Sequence, residues 1–165
     1  MASSSNSTSL GNGYTLTATF EEKGTPSTEN NTTSVYVAGV LQANGARWWS
    51  SYLSNLKVYW HDNRENYDRL VKEINISANP TTGYYDSWEA SATITVTHLD
   101  DGSLNGYAYA VFTKGGSAST APNSGSVYSR AGDNHWTALT KIDRYPILSS
   151  AEDFTDEGNP KIKFS

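Results

Sequence analysis

A chain of 165 residues has room for one domain with a well-buried core and a short remainder, since about 150 residues hide roughly 68 to 70 per cent of their unfolded surface. It contains no cysteine, which excludes disulfide frameworks, thiolate metal sites and cysteine nucleophiles. With 12 basic and 17 acidic residues the net charge is −5, the wrong sign for gripping a phosphate backbone, and no apolar run approaches the roughly 18 residues of a membrane helix, so neither nucleic acid nor membrane insertion is expected.

Residues 1–13 are rich in Ser, Asn and Thr. They lack the charged and apolar regions of a signal peptide and read as a flexible N-terminal segment. From Tyr14 to Glu22, Tyr14, Leu16, Ala18 and Phe20 alternate with threonines, the period of a half-buried strand. Lys23 to Thr32 reads as a loop, and Thr33 to Ala43 as a second strand with Val35, Val37 and Leu41 on one face. Asn44-Gly45 is a turn dipeptide. The extended stretch that follows carries Trp48 and Trp49, which as neighbours in a strand face opposite ways.

Leu56, Val58 and Trp60 alternate with Lys57, Tyr59 and His61, and the charged cluster Asp62 to Glu65 turns the chain. Tyr67 to Ser77 reads as a strand with Leu70, Ile74 and Ile76 in phase, ended by Asn79-Pro80. The longest alternation runs from Ser87 to His98, with Trp88, Ala90, Ala92, Ile94 and Val96 on one face. Asp100-Asp101-Gly102 marks a turn, so His98, Asp101, Gly102 and Ser103 are expected to be structural turn residues. Gly106 to Thr113 returns as a strand with Tyr107, Tyr109 and Val111 on one face. After the Lys114 to Gly125 loop come short strands at Val127 to Arg130 and Trp136 to Ile142. About eight strands without intervening helices indicate an all-β, antiparallel β-sandwich or jelly-roll-like fold over residues 14–143. Residues 144–165 read as a linker and the first strand of a following β domain.

The order of these features resembles the minor structural tail proteins of siphophages that infect Gram-positive bacteria. An opening strand leads into an Asn-rich connection, Asn30 to Ser34. A later strand ends in a His-x-x-Asp-Gly-Ser turn at His98, Asp101, Gly102 and Ser103. Leu139, Thr140, Ile142 and Arg144 resemble the closing linker, although here Asp143 stands before the arginine and the proline follows as Pro146. Phe154 to Phe164 resembles the opening strand of an immunoglobulin-like domain. The resemblance implies a bacteriophage virion protein of tail, fibre or decoration type. Its implied partners are other virion proteins and further copies of itself, and its role is to carry later domains toward the host surface.

No carboxylate or histidine lies in a recognisable catalytic context. Glu89 faces outward with the strand threonines, and His61, His98 and His135 have no motif around them. Asp62, Asn63, Glu65 and Asp68 are dense in oxygen but lack a calcium-loop pattern. The chain is therefore read as a non-enzyme with no cofactor. Five Trp and eleven Tyr exceed what a modest core encloses, and such rings suit binding surfaces. Trp48, Trp49, Tyr52, Tyr84, Tyr85 and Trp88 are the expected contacts for a glycan or protein partner. The alternative function is a lectin-like module that recognises host cell-surface polysaccharide.

Overall fold

The computed structural model describes residues 1–44, 53–76, 87–116 and 120–144. Among them are nine antiparallel strands in two sheets and no helix, a β-sandwich. The strands are β1 (Ser3–Gly11), β2 (Tyr14–Ser27), β3 (Thr32–Ala43), β4 (Ser54–Asp62), β5 (Arg69–Ile76), β6 (Ser87–Thr97), β7 (Asn105–Thr113), β8 (Gly125–Tyr128) and β9 (Thr137–Ala138). One sheet runs β1-β2-β3-β6, the other β5-β4-β7-β8, with β9 also paired to β7.

The apolar halves of the alternating strands meet between the sheets. Leu16, Phe20, Val35, Val37 and Leu41 come from the first sheet, and Leu56, Val58, Trp60, Ala110 and Phe112 from the second. Phe20 and Trp60 pack edge to face at 5.2 Å, an arrangement that sets a positive ring edge on a negative ring face. The Trp60 indole is seated by two neighbours. Its N–H donates to Asp62 Oδ2 at 2.8 Å, and it lies so close over Gly106 that a Cβ there would stand 2.3 Å from Cζ2.

Several expectations change, and the last two strands lie at Gly125–Tyr128 and Thr137–Ala138 rather than at Val127 to Arg130 and Trp136 to Ile142. Residues 1–13 hold a strand where a free segment was expected: β1 pairs with β2 from Ser3↔Glu21 to Gly11↔Tyr14. It has no apolar alternation, and several of its polar side chains are held by hydrogen bonds instead. Ser5 and Ser7 pair with Thr19 and Thr17 on the outside, while Ser4 Oγ and Asn6 Nδ2 donate to the carbonyls of Ser129 and Tyr128. Between β2 and β3 the chain turns within residues 28–31, so β2 consumes part of the expected loop. In β5 the register shifts opposite Val58 and Tyr59. A bulge changes which side chains share a face, leaving Leu70 exposed and Val71 against the core.

Candidate functional site

The outer face of the second sheet is built from the polar halves of β4, β7 and β8. Tyr59 stands opposite Tyr109 and His61 opposite Tyr107, and Tyr109 in turn stands opposite Tyr128. Directly opposed side chains in an antiparallel pair lie close enough for their rings to meet. Tyr59 and Tyr109 stack at 4.7 Å, His61 and Tyr107 at 5.1 Å with planes only 2° apart. The segment after β8 folds back onto this row. His135 stacks on Tyr128 at 3.7 Å, and Trp136 sets its edge against Tyr107 at 5.1 Å.

Asp68 closes one end of the cluster. Its carboxylate accepts from His61 Nδ1 at 2.8 Å and from the Tyr109 hydroxyl. The Tyr109 hydrogen bond first, and His61 second, hold the Asp68 carboxyl below the usual carboxylate range. Burial among the rings, followed by the Asp68 hydrogen bond, pushes the Tyr109 hydroxyl well above the usual tyrosine range. Burial also raises Tyr107.

A second cluster gathers at one end of the sandwich, where three separate stretches of chain converge. His98 is fully buried, with Nδ1 2.7 Å from the Gly102 carbonyl and Nε2 2.7 Å from Thr33 Oγ1. A carbonyl can only accept, so Nδ1 donates to Gly102, and Nε2 is hydrogen-bonded to the Thr33 hydroxyl. Asn31 donates to the carbonyls of His98 and Leu99. Asp101 Oδ1 accepts from the Ser103 amide and hydroxyl at 2.9 and 2.6 Å. Gly102 sits at φ 88°, and its carbonyl also accepts from the Ile142 amide at 2.9 Å. A Cβ at Gly102 would lie 1.9 Å from the Ile142 oxygen. Both ring nitrogens of His98 are committed to fixed partners, so the ring has no lone pair to offer a substrate.

The remaining candidates are dispersed. Trp48, Trp49, Tyr52, Tyr84 and Tyr85 lie outside the described residues. Trp88 stands opposite Leu41 and packs against the core, half-buried. Glu89 is on the outer face of the first sheet, where the Tyr36 hydroxyl bonds it and holds its carboxyl below the usual range. Of the oxygen-rich turn, Asp62 points inward to Trp60 and to the amides of Arg64 and Glu65, while Asp68 joins the rings outside. Among the described residues no three His, Asp or Glu side chains form a metal-binding group. The ring row on β4, β7 and β8 was missed by sequence reasoning. The outward phase of Tyr59, His61, Tyr107 and Tyr109 is legible in the alternation; that β4 and β7 are neighbours, in this register, is not.

No family model matches the chain, and no curated protein does. A solved Bordetella pertussis structure assigned as an ApaA protein aligns with 82% of this chain and 95% of its own, at 9% identity and a TM-score of 0.37.

Proposed function

We propose that this chain is a structural module of a bacteriophage virion, of tail, fibre or decoration type, that assembles by protein–protein contact and carries following domains toward the host surface. The observation that carries the reading is the aromatic face of the second sheet. Tyrosine and tryptophan are enriched in protein interfaces. Here Tyr59, Tyr107, Tyr109, Tyr128 and Trp136 are gathered on one sheet face with Tyr128 still 37% exposed. The rings pack on one another, the pairs Tyr59–Tyr109, His61–Tyr107 and Tyr128–His135 stacked and the others edge-on or tilted. A sugar stacks on an open ring face, and in each stacked pair one face of each ring is already covered. The packing therefore favours a protein partner over a stacked glycan at this surface.

Edge pairing, the other common route to assembly, is less open to this sandwich. On one side Ser4 and Asn6 of β1 bridge to the carbonyls of Ser129 and Tyr128. On the other, Arg69 of β5 donates to the Thr95 carbonyl of β6 at 3.2 Å. A partner then meets a face, and the closing segment supports a mounting role because it is hydrogen-bonded to the sandwich as far as Ile142.

Light scattering of the purified chain across a wide concentration range tests the proposal. The expected result is a defined homo-oligomer that the double substitution Tyr107→Ser, Trp136→Ser converts to a folded monomer. A wild-type monomer at every concentration, joined by glycan-array binding that Trp48→Ala or Trp49→Ala abolishes, would replace assembly with the lectin-like reading.

A further inference from the structure

Beside the ring row, β1 and β8 border a shallow, open groove of about 370 Å³. Its walls are Asn6 and Thr8 of β1, Ser126 and Tyr128 of β8, and Arg130 and His135 from the segment that folds back. The lining holds one guanidinium, a histidine and several hydroxyls but no carboxylate, in a chain whose net charge is −5. Asp133, three residues beyond Arg130, is not part of the lining.

Arg130 is positioned but not neutralised. Its Nη1 donates to the Trp136 carbonyl at 2.5 Å, which anchors the side chain on main chain, and no carboxylate pairs with it among the described residues. A guanidinium has five N–H donors in a planar fork that matches a carboxylate in two-point contact. His135 is fixed in a complementary state. Its Nδ1 lies 3.1 Å from the Arg130 carbonyl and must donate to it; in the neutral ring Nε2 is then an acceptor, suited to a hydroxyl. Thr8 and Ser126 add hydroxyls that both donate and accept. The lining thus presents one anion-binding fork beside a set of groups that pair with alcohols.

We infer that this groove binds an acidic saccharide, its carboxylate on Arg130 and its ring hydroxyls on His135, Thr8 and Ser126. Recognition here is by hydrogen bonding, so it does not depend on an open ring face. It goes beyond the assembly reading, which rests on the adjoining sheet face and shares Tyr128 and His135 with this groove.

Amide chemical-shift titrations of the full chain with a glucuronic-acid disaccharide, its neutral glucose counterpart and inorganic phosphate provide the test. The expected outcome is saturable shifts at Tyr128, Arg130 and His135 with the uronate, and binding at least about tenfold weaker for the neutral sugar, since the charged hydrogen bonds are lost. Arg130→Gln should weaken the uronate by a similar factor, and Arg130→Lys by less, because it keeps the charge without the fork. Because Arg130 also holds the Trp136 carbonyl, the oligomeric mass of each variant is followed in parallel, and loss of uronate binding at unchanged mass separates this site from the assembly face. The inference is overturned by any of four results: no shifts with the uronate, equal binding of the neutral sugar, phosphate binding as tightly as the uronate, or an Arg130→Gln variant that binds like the wild type.

Discussion

At the Asp68–Tyr109 contact, burial and then the shared hydrogen bond raise the Tyr109 hydroxyl, while that same hydrogen bond lowers the Asp68 carboxyl. The Tyr109 hydroxyl is raised above its ordinary value of 10.0, so the folded chain keeps that proton through the range where an unfolded tyrosine loses it. Its contribution to stability is complete below pH 10 and is lost as the pH rises through the folded value. The Asp68 carboxyl is lowered from 3.8, so its contribution stands above that pH and is lost as the pH falls through the folded value. The side chain is half exposed, and solvent screening keeps the Asp68 contribution small. In a spectrophotometric phenolate titration, the wild type should show a late-titrating tyrosine that Tyr109→Phe removes. Asp68→Asn should bring it to lower pH, while ring burial keeps it above the ordinary value. A late component unchanged in Tyr109→Phe would assign the effect to another residue.

Individual strands were legible where one face is apolar and the other polar, which is why β2, β3, β6 and β7 follow the alternation of Leu16, Val37, Ala90 and Phe112. β1 was not, because its inward side is Ser4 and Asn6, whose hydrogen bonds to main-chain carbonyls leave no trace in hydropathy. β9 shrinks to Thr137–Ala138, since Leu139 and Ile142 reach the body through single amide bonds to Leu104 and Gly102 rather than through a ladder. In β5 the even phase of Leu70, Ile74 and Ile76 was legible, but a bulge depends on the partner strand and has no local signature here. The bulge makes a prediction that simple alternation reverses. Leu70→Lys, on a side chain 48% exposed, should change stability by less than about 0.5 kcal/mol. Val71→Lys, against the core, should cost roughly 1–3 kcal/mol. Urea unfolding midpoints decide it, and the opposite ranking would place the bulge elsewhere. The ring row has the same origin: tyrosines on the outer faces of β4 and β7 can be read from each strand alone, whereas their stacking requires the sheet order.

Over the whole sandwich, the two ends of the described chain meet on one carboxylate. Glu22 is 1% exposed, and its Oε2 accepts from the Ala2 amide at 2.5 Å and from the amide and hydroxyl of Thr140 at 3.0 Å each. A buried carboxylate without a cation is expensive unless donors surround it, and these three donors come from Ala2, just ahead of β1, on one side and from the closing segment on the other. Removing the acceptor leaves those donors unsatisfied and frees both segments at once. Glu22→Ala should therefore cost about 2–5 kcal/mol, and Glu22→Gln less, since one carbonyl oxygen can still accept. Hydrogen exchange distinguishes a clamp from a general loss of packing. In Glu22→Ala the amides of β1 and those of Thr140 and Ile142 should lose protection together, ahead of the β2-β3-β6 ladder. Uniform loss across all strands would show that Glu22 supports the core rather than the joint. Selective loss would also loosen the β1 wall of the Arg130 groove, so acidic-saccharide binding should fall in Glu22→Ala although Glu22 does not line the groove.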